Sequence, residues 1–248
     1  IGYQALATNL TGTYNVAIGK EAMIAADGAE NNNIAIGAGS MGGVNLDTTE
    51  KNVAIGRNAG LGGTGELDQC IAIGHLAMDG TGSIGGANNI FMGSNAGGGT
   101  WVTAVSDGNV GIGATSMSGA LNGALHNTAL GFDTLKVMTT SNYNVAIGAY
   151  SQFRNTTGSA NTSLGTTSLY SNEAGQYNTA IGYESLVGSA TGNYSYNVGT
   201  GFQSLRSITT GNSNVGVGYK SLYAITTGAN NVVIGSQAAD QITTQSYN

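Results

Sequence analysis

The chain has no proline, one cysteine, one tryptophan and only 8% charged residues. Each shortage excludes something. A lone Cys70 cannot build an internal disulfide framework, and it leaves the redox compartment unread. With 7% aromatic residues and so few charges, the usual material for a wide packed core is missing. Glycine supplies 42 of 248 residues, but without proline or a Gly-X-Y period the chain is not collagen. No apolar run approaches the ~20 residues of a membrane helix, so no membrane insertion by this segment is expected. Basic stripes are also absent. Thirteen acids against seven bases, for a net charge of −6, argue against nucleic acid as a partner. The excess is uneven: residues 1–125 hold nine acids and three bases, residues 126–248 four of each. Disorder is excluded in turn, because 40% of the residues are apolar and they recur with regular spacing.

What is present is a repeat. "NVAIGKEAM" at 15–23 returns as "NIAIGAGSM" at 33–41, "NVAIGRNAG" at 52–60 and "NVAIGAYSQ" at 144–152. Fourteen motif glycines, from Gly2 to Gly235, follow one another at intervals of 17–20 residues and cover the whole chain. The residue three before the glycine is always Val, Ile or Thr where the chain contains it. These β-branched side chains fit a pleated strand and crowd a helix. The residue before the glycine is Ile, Leu, Val or Met, with Thr200 the exception; between the two sits Ala, Gly or Ser, except at Phe91 and Val233. Ala, Ser or Thr stands three after each glycine, followed by Leu or Met in ten copies of fourteen. Turns such as "TTG" at 156–158, 209–211 and 226–228 close the period.

One short strand, a tight glycine turn, a second short apolar stretch and a loop per period describe an all-β fold, a β-solenoid of about 14 coils. No window holds a 3.6-residue apolar rhythm, and propeller blades or leucine-rich horseshoes need a longer period. Stacked coils place like residues above like, with parallel strands ~4.8 Å apart. Asn stands four before the glycine at Asn15, Asn33, Asn52, Asn89, Asn109, Asn127, Asn144, Asn161, Asn178, Asn197, Asn214 and Asn231, and Cys70 is the one substitute. Asparagines in register are expected to form a structural ladder of side-chain amides. Strand alternation is expected to put Val and Ile on the core face and the small residue on the other. So narrow a bore needs help against chain entropy. The row of small residues, Ala146 among them, is therefore expected to face neighbouring copies in a homotrimer.

These residues carry a resemblance over the whole chain. "NVAIG" followed by Ala or Ser three residues on is similar to the repeat in the head domain of trimeric autotransporter adhesins. "TTGNSNVGVGYKSL" at 209–222 resembles the repeats of bacteriophage tail-fibre proteins. The resemblance implies a trimeric, left-handed parallel β-roll that displays or spaces a binding surface. The period here exceeds that of the adhesin-head coil, which implies larger loops, and Cys70, Phe91 and Thr200 interrupt the pattern.

No constellation for catalysis emerges. His75 and His126 fall about three coils apart, or ~15 Å, too far for a shared metal or relay, and both read as loop residues. Cys70 reads as a small buried residue. Asp27 and Glu30, Asp47 and Glu50, Glu66 and Asp68 fall at similar offsets in three successive coils. They form either a solvated rim or a weak calcium site, since hard oxygens suit that ion. Tyr183, Phe202 and Tyr219 follow three consecutive motif glycines, and Trp101 sits in the longest insert, 97–109. These rings read as register-pinning stacks or as contacts for a surface glycan. Thr pairs raise ice binding, against which their position in turns counts.

The expectation is a non-enzymatic structural segment without cofactor: a phage tail-fibre rod displaying loops for host attachment, located in the virion or at an extracellular surface. Its partners would be its own copies and a host-surface glycan or protein. The alternatives are a bacterial trimeric autotransporter adhesin head, a carbohydrate-active β-solenoid enzyme and an ice-binding protein. Residues 1–248 are expected to form a single repeat domain cut from a longer fibre. The chain opens at "IG", the tail of a strand, and closes at "SYN", the start of a coil.

Overall fold

A computed structural model describes residues 1–44, 49–63, 65–189 and 192–247. Two compact units emerge, 1–127 and 128–248. In the first, strands β1 (Val16–Ile18), β2 (Ile34–Ile36), β3 (Val53–Ile55), β5 (Ile71–Ile73), β7 (Ile90–Met92) and β8 (Val110–Ile112) pair in parallel, each with the next. The dipeptide strands β4 (Leu67–Asp68) and β6 (Gly86–Ala87) pair separately. In the second unit, β9 (Thr128–Leu130), β10 (Val145–Ile147), β11 (Thr162–Leu164), β12 (Thr179–Ile181), β13 (Val198–Thr200), β14 (Val215–Val217) and β15 (Val232–Ile234) stack the same way. The protein is an all-β parallel β-solenoid, with no helix among the described residues.

The register is strict: Val145 lies beside Thr162, Ala146 beside Ser163, Ile147 beside Leu164. Hydrogen bonds run along the stack at every corner. Glu184 N–H donates back to Thr166 O and Leu186 N–H forward to Ser204 O, at 3.1 and 2.9 Å. Three corners per coil use positive φ, most of them at non-glycine residues: Tyr177 (58°), Glu184 (52°) and Leu186 (50°) serve the β12 coil. Each such residue costs roughly 1–2 kcal/mol, and the N–H bonds to neighbouring coils offset it. The short apolar stretch expected after the glycine is present, with Met23, Leu169 and Leu186 buried, and it is built as a sequence of turns. The motif glycine itself has no substitute. At Gly165 φ is 143°, and a Cβ there would lie 2.4 Å from Gly182 O in the next coil.

Strand facing is the reverse of the sequence expectation. The central small residue is buried (Ala35, Ala54, Ala146 and Ala180 at 0–1% exposure), whereas the flanking Val and Ile point outward. The reason is volume. The Leu or Met four after each glycine turns into the bore through its positive φ and occupies the space opposite the strand. Leu169, Leu186, Leu205 and Leu222 form the second unit's core with Ile208 and Ile225. A β-branched residue at the strand centre would collide with them: even a Cβ at Gly216 would lie 2.3 Å from Leu205 Cδ1. Ala146 therefore lines the bore, and the strand-centre row of small residues is not available to neighbouring copies.

Some exceptions are matched, though Gly60 beside Ala54 is not. Where the strand centre is Phe91, the Leu/Met position is Gly97, and a Cβ there would sit 2.6 Å from the Phe91 ring. Gln152 takes that position opposite Ser163; its Nε2 donates to Ser163 Oγ (2.9 Å) and its Oε1 accepts from Asn155 Nδ2 (3.0 Å), all buried. Tyr194 fills the bore above Gly188, its hydroxyl donating to Leu186 O at 2.6 Å.

Candidate functional surfaces

The asparagine ladder is present and does more than the amide-to-amide link that was expected. Asn161 Oδ1 accepts the backbone N–H of Asn178 (2.9 Å) and its Nδ2 (2.9 Å), while Asn161 Nδ2 donates to Gly175 O (2.9 Å). Each asparagine so clamps two points of the following coil. Asn33, Asn52, Asn89, Asn109, Asn197 and Asn214 repeat the pattern with Nδ2 donating to the next coil's carbonyls. Asn15, Asn144 and Asn231 donate likewise, and Asn127 reaches back to Asn109 Oδ1 (3.0 Å). Cys70 keeps the backbone half of the link, its N–H donating to Asn52 Oδ1 at 2.8 Å. Burial pushes its thiol up to about 11, which suits an inert packing residue.

Inversion of the strands leaves apolar columns outside. In the first unit Val16, Ile34, Val53, Ile71, Ile90 and Val110 align, beside Ile18, Ile36, Ile55, Ile73, Met92 and Ile112. In the second, Val145, Leu164 and Ile181 are between 38% and 47% exposed, and Ile147 is half-buried. A bare face of aligned aliphatics is uncommon on a protein that works alone.

Aromatic columns belong to the second unit. Tyr183, Phe202 and Tyr219 stack with centroids 5.5 Å apart and planes 15–16° from parallel. Tyr177 stacks on Tyr196 and Phe153 on Tyr170, at 5.2 and 5.1 Å. Within these stacks the near-parallel rings face one another, an arrangement that pins coil register, while Tyr183, Phe202 and Tyr219 stay 42–47% exposed. A sugar ring needs a free face, and Lys220 Nζ lies 5.4 Å from the Tyr219 ring centre. Trp101, the fourth glycan candidate, is in the bore at 1% exposure, edge-on to Phe91 at 6.3 Å, so it offers nothing outside. Beside the stack, Glu184 accepts from Arg206 Nε and Gln203 Nε2, each at 2.7 Å. Partial burial raises the Glu184 carboxyl, but the bonds from Arg206, Gln203 and Tyr183 outweigh it and hold it below the usual range.

The carboxylates expected on a common rim go separate ways. Glu50 and Asp68 share one row through a backbone bridge, yet Glu50 pairs with Lys51 (2.8 Å) and Asp68 accepts from Gln69. Glu66 and Asp68 border a cleft of about 190 Å³ with Asp107. Asp27 is exposed, Glu30 is fully buried, and Asp47 lies outside the described residues. Among the described residues no three His, Cys, Asp or Glu converge to hold a metal. His75 and His126 are both exposed. The turn threonines are engaged: Thr156 Oγ1 donates to Glu173 O and Thr209 Oγ1 to Thr226 O, both at 3.0 Å. No described helix is long and apolar enough to cross a membrane.

The sequence reading missed Tyr194, the Gln152–Ser163 polar pair and the Phe153–Tyr170 stack. A departure from the repeat at its own position was the available signal for each. Family models, curated proteins and solved structures were all compared with the chain, and none matches it.

Proposed function

We propose that the chain is a structural, non-enzymatic segment of a homotrimeric fibre of the phage tail-fibre kind, serving host-surface attachment in the virion or at an extracellular surface. One observation carries the reading: the outward Val and Ile columns, exposed or half-buried in coil after coil. Two further copies would cover that face, burying β-branched side chains against each other at about 25 cal/mol per Å² of apolar area. The Asn clamps and axial backbone bonds make each unit a mechanical element, and the loops are free to vary for recognition of a glycan or protein. The same face suits a bacterial adhesin head, the alternative within this reading.

Replacing Val145 and Ile147 together with Lys tests it. The account predicts loss of the trimer with the β-sheet circular dichroism retained, whereas Ala146→Lys, inside the bore, unfolds the coil. Equal masses for wild type and the outward double variant would overturn the proposal.

A further inference from the structure

Two arginine–glutamate pairs join neighbouring coils of the second unit, and they differ. Arg206 closes on Glu184, its Nε donating to Oε2 at 2.7 Å. Arg154 stops short of Glu173: its Nε lies 3.8 Å from Oε1, too far for a hydrogen bond. Among the described residues the Arg154 guanidinium and the Glu173 carboxylate make no hydrogen bond. Both are accessible, with side-chain exposures of 43% and 36%.

Beside the open pair is a cleft of about 310 Å³, lined by Val137, Phe153, Arg154, Thr156 and Glu173. Its wall is firm. Phe153 stacks on Tyr170 at 5.1 Å with planes 4° apart, while the Tyr150 ring and Lys136 Nζ lie 5.9 and 5.6 Å from its centre. With its faces so occupied, Phe153 joins Val137 as an apolar wall and not as a stacking platform. Thr156 ties the floor to the next coil, its N–H and Oγ1 donating to Glu173 O at 2.9 and 3.0 Å. The lining residues stand five to eight after their motif glycines, outside the strand face that further copies would cover.

A guanidinium offers five N–H donors, and a carboxylate only acceptors. Held side by side and unbonded, they match a ligand that presents an acceptor and a donor next to each other. Adjacent hydroxyls of a sugar ring do so: one oxygen accepts from Arg154 while the next hydroxyl donates to Glu173, both bonds charge-assisted. Admitting them costs little, because a half-exposed pair at this distance contributes little by itself. An anion would be repelled by Glu173 and a cation by Arg154, which leaves a neutral polyol as the best match. The volume falls at the lower end of the ~300–1,000 Å³ of small-ligand sites, which suits a short glycan with its C–H edges against Val137 and Phe153. We propose that the Arg154–Glu173 cleft is a saccharide-binding site, taking a neutral sugar through adjacent hydroxyls. The proposal rests on the reading of the chain as an attachment segment, and gives that reading a glycan and a place.

The probes are the methyl glycosides of glucose, galactose, mannose and N-acetylglucosamine, each added to the full chain and followed by saturation-transfer NMR on the sugar protons. At least one should receive transfer from the wild type. Arg154→Leu and Glu173→Ala should each lose that transfer while retaining circular dichroism and oligomeric mass. Arg206→Ala, at the closed pair, and Tyr219→Ala, on the aromatic column, should bind as the wild type does. A wild type silent toward every probe overturns the site; if its mass by light scattering is still that of a trimer, the fibre reading stands without it. Transfer that survives in both cleft variants, or vanishes in Tyr219→Ala, puts the sugar elsewhere and overturns the site as well.

Discussion

A single asparagine per coil does the work of three hydrogen bonds, because one amide offers an acceptor with two lone pairs and two donors. Asn161 uses them on Asn178 N–H, Asn178 Nδ2 and Gly175 O, all in the next coil. Asn161→Leu leaves the buried Asn178 N–H unpaired, at about 1–3 kcal/mol, while Asn178 Nδ2 keeps Tyr194 O and Gly175 O keeps Asn172 Nδ2. A fall in the urea midpoint with an unchanged slope is the expected outcome. Glu184 and Arg206 make the charged counterpart of this link, joining one coil to the next. The Glu184 carboxyl is lowered in the folded chain. Its contribution is therefore complete above the unfolded carboxylate value of ~4.3 and disappears as pH falls through the lower folded value. The gap in thermal midpoint between wild type and Arg206→Ala should be constant near neutral pH and close in acid. A gap that persists at the acid end would mean the pair acts through packing alone.

In the coil of Phe91 the strand centre and the corner residue trade bulk, although the β3 coil, with Ala54 and Gly60, leaves both small. Ala opposite Leu or Met is the common pair, and Phe91 opposite Gly97 conserves the sum. Gly97→Met alone drives a side chain into the Phe91 ring and should destabilise by roughly 1–3 kcal/mol. Adding Phe91→Ala restores the common pair, so the double variant should recover most of the loss, a coupling measurable in a double-mutant cycle. Additive losses would mean the two positions do not share space. This trade also explains which parts of the fold were legible. Strand, glycine turn, period and Asn register follow from letters recurring at one position. The facing of the strand does not, because alternation fixes that Val and Ala point opposite ways without saying which way is in. The deciding fact was the positive φ at residues such as Leu186 and Leu205, which aims a large side chain inward, and no residue-type preference announces it. The candidate sites were less legible still. Trp101 lies in an irregular stretch where the repeat gives no register, and it proved to be inside; Glu30 holds a repeat position, three before the ladder Asn33, and is inside as well.

At the scale of the molecule, the two units are built alike but dressed differently. The first carries the acidic excess, with Asp107, Glu66 and Asp68 around one cleft; the second carries the aromatic stacks and balanced charge. In both, the strands present their larger aliphatic residues to the outside, an arrangement that calls for a partner surface of the same kind. In the proposed trimer another copy of the chain would supply it, with like columns in like register. Light scattering on the purified full chain tests this most directly. The account predicts a single species of three times 24.8 kDa that keeps its mass on dilution. A folded, monodisperse species of 24.8 kDa would contradict it.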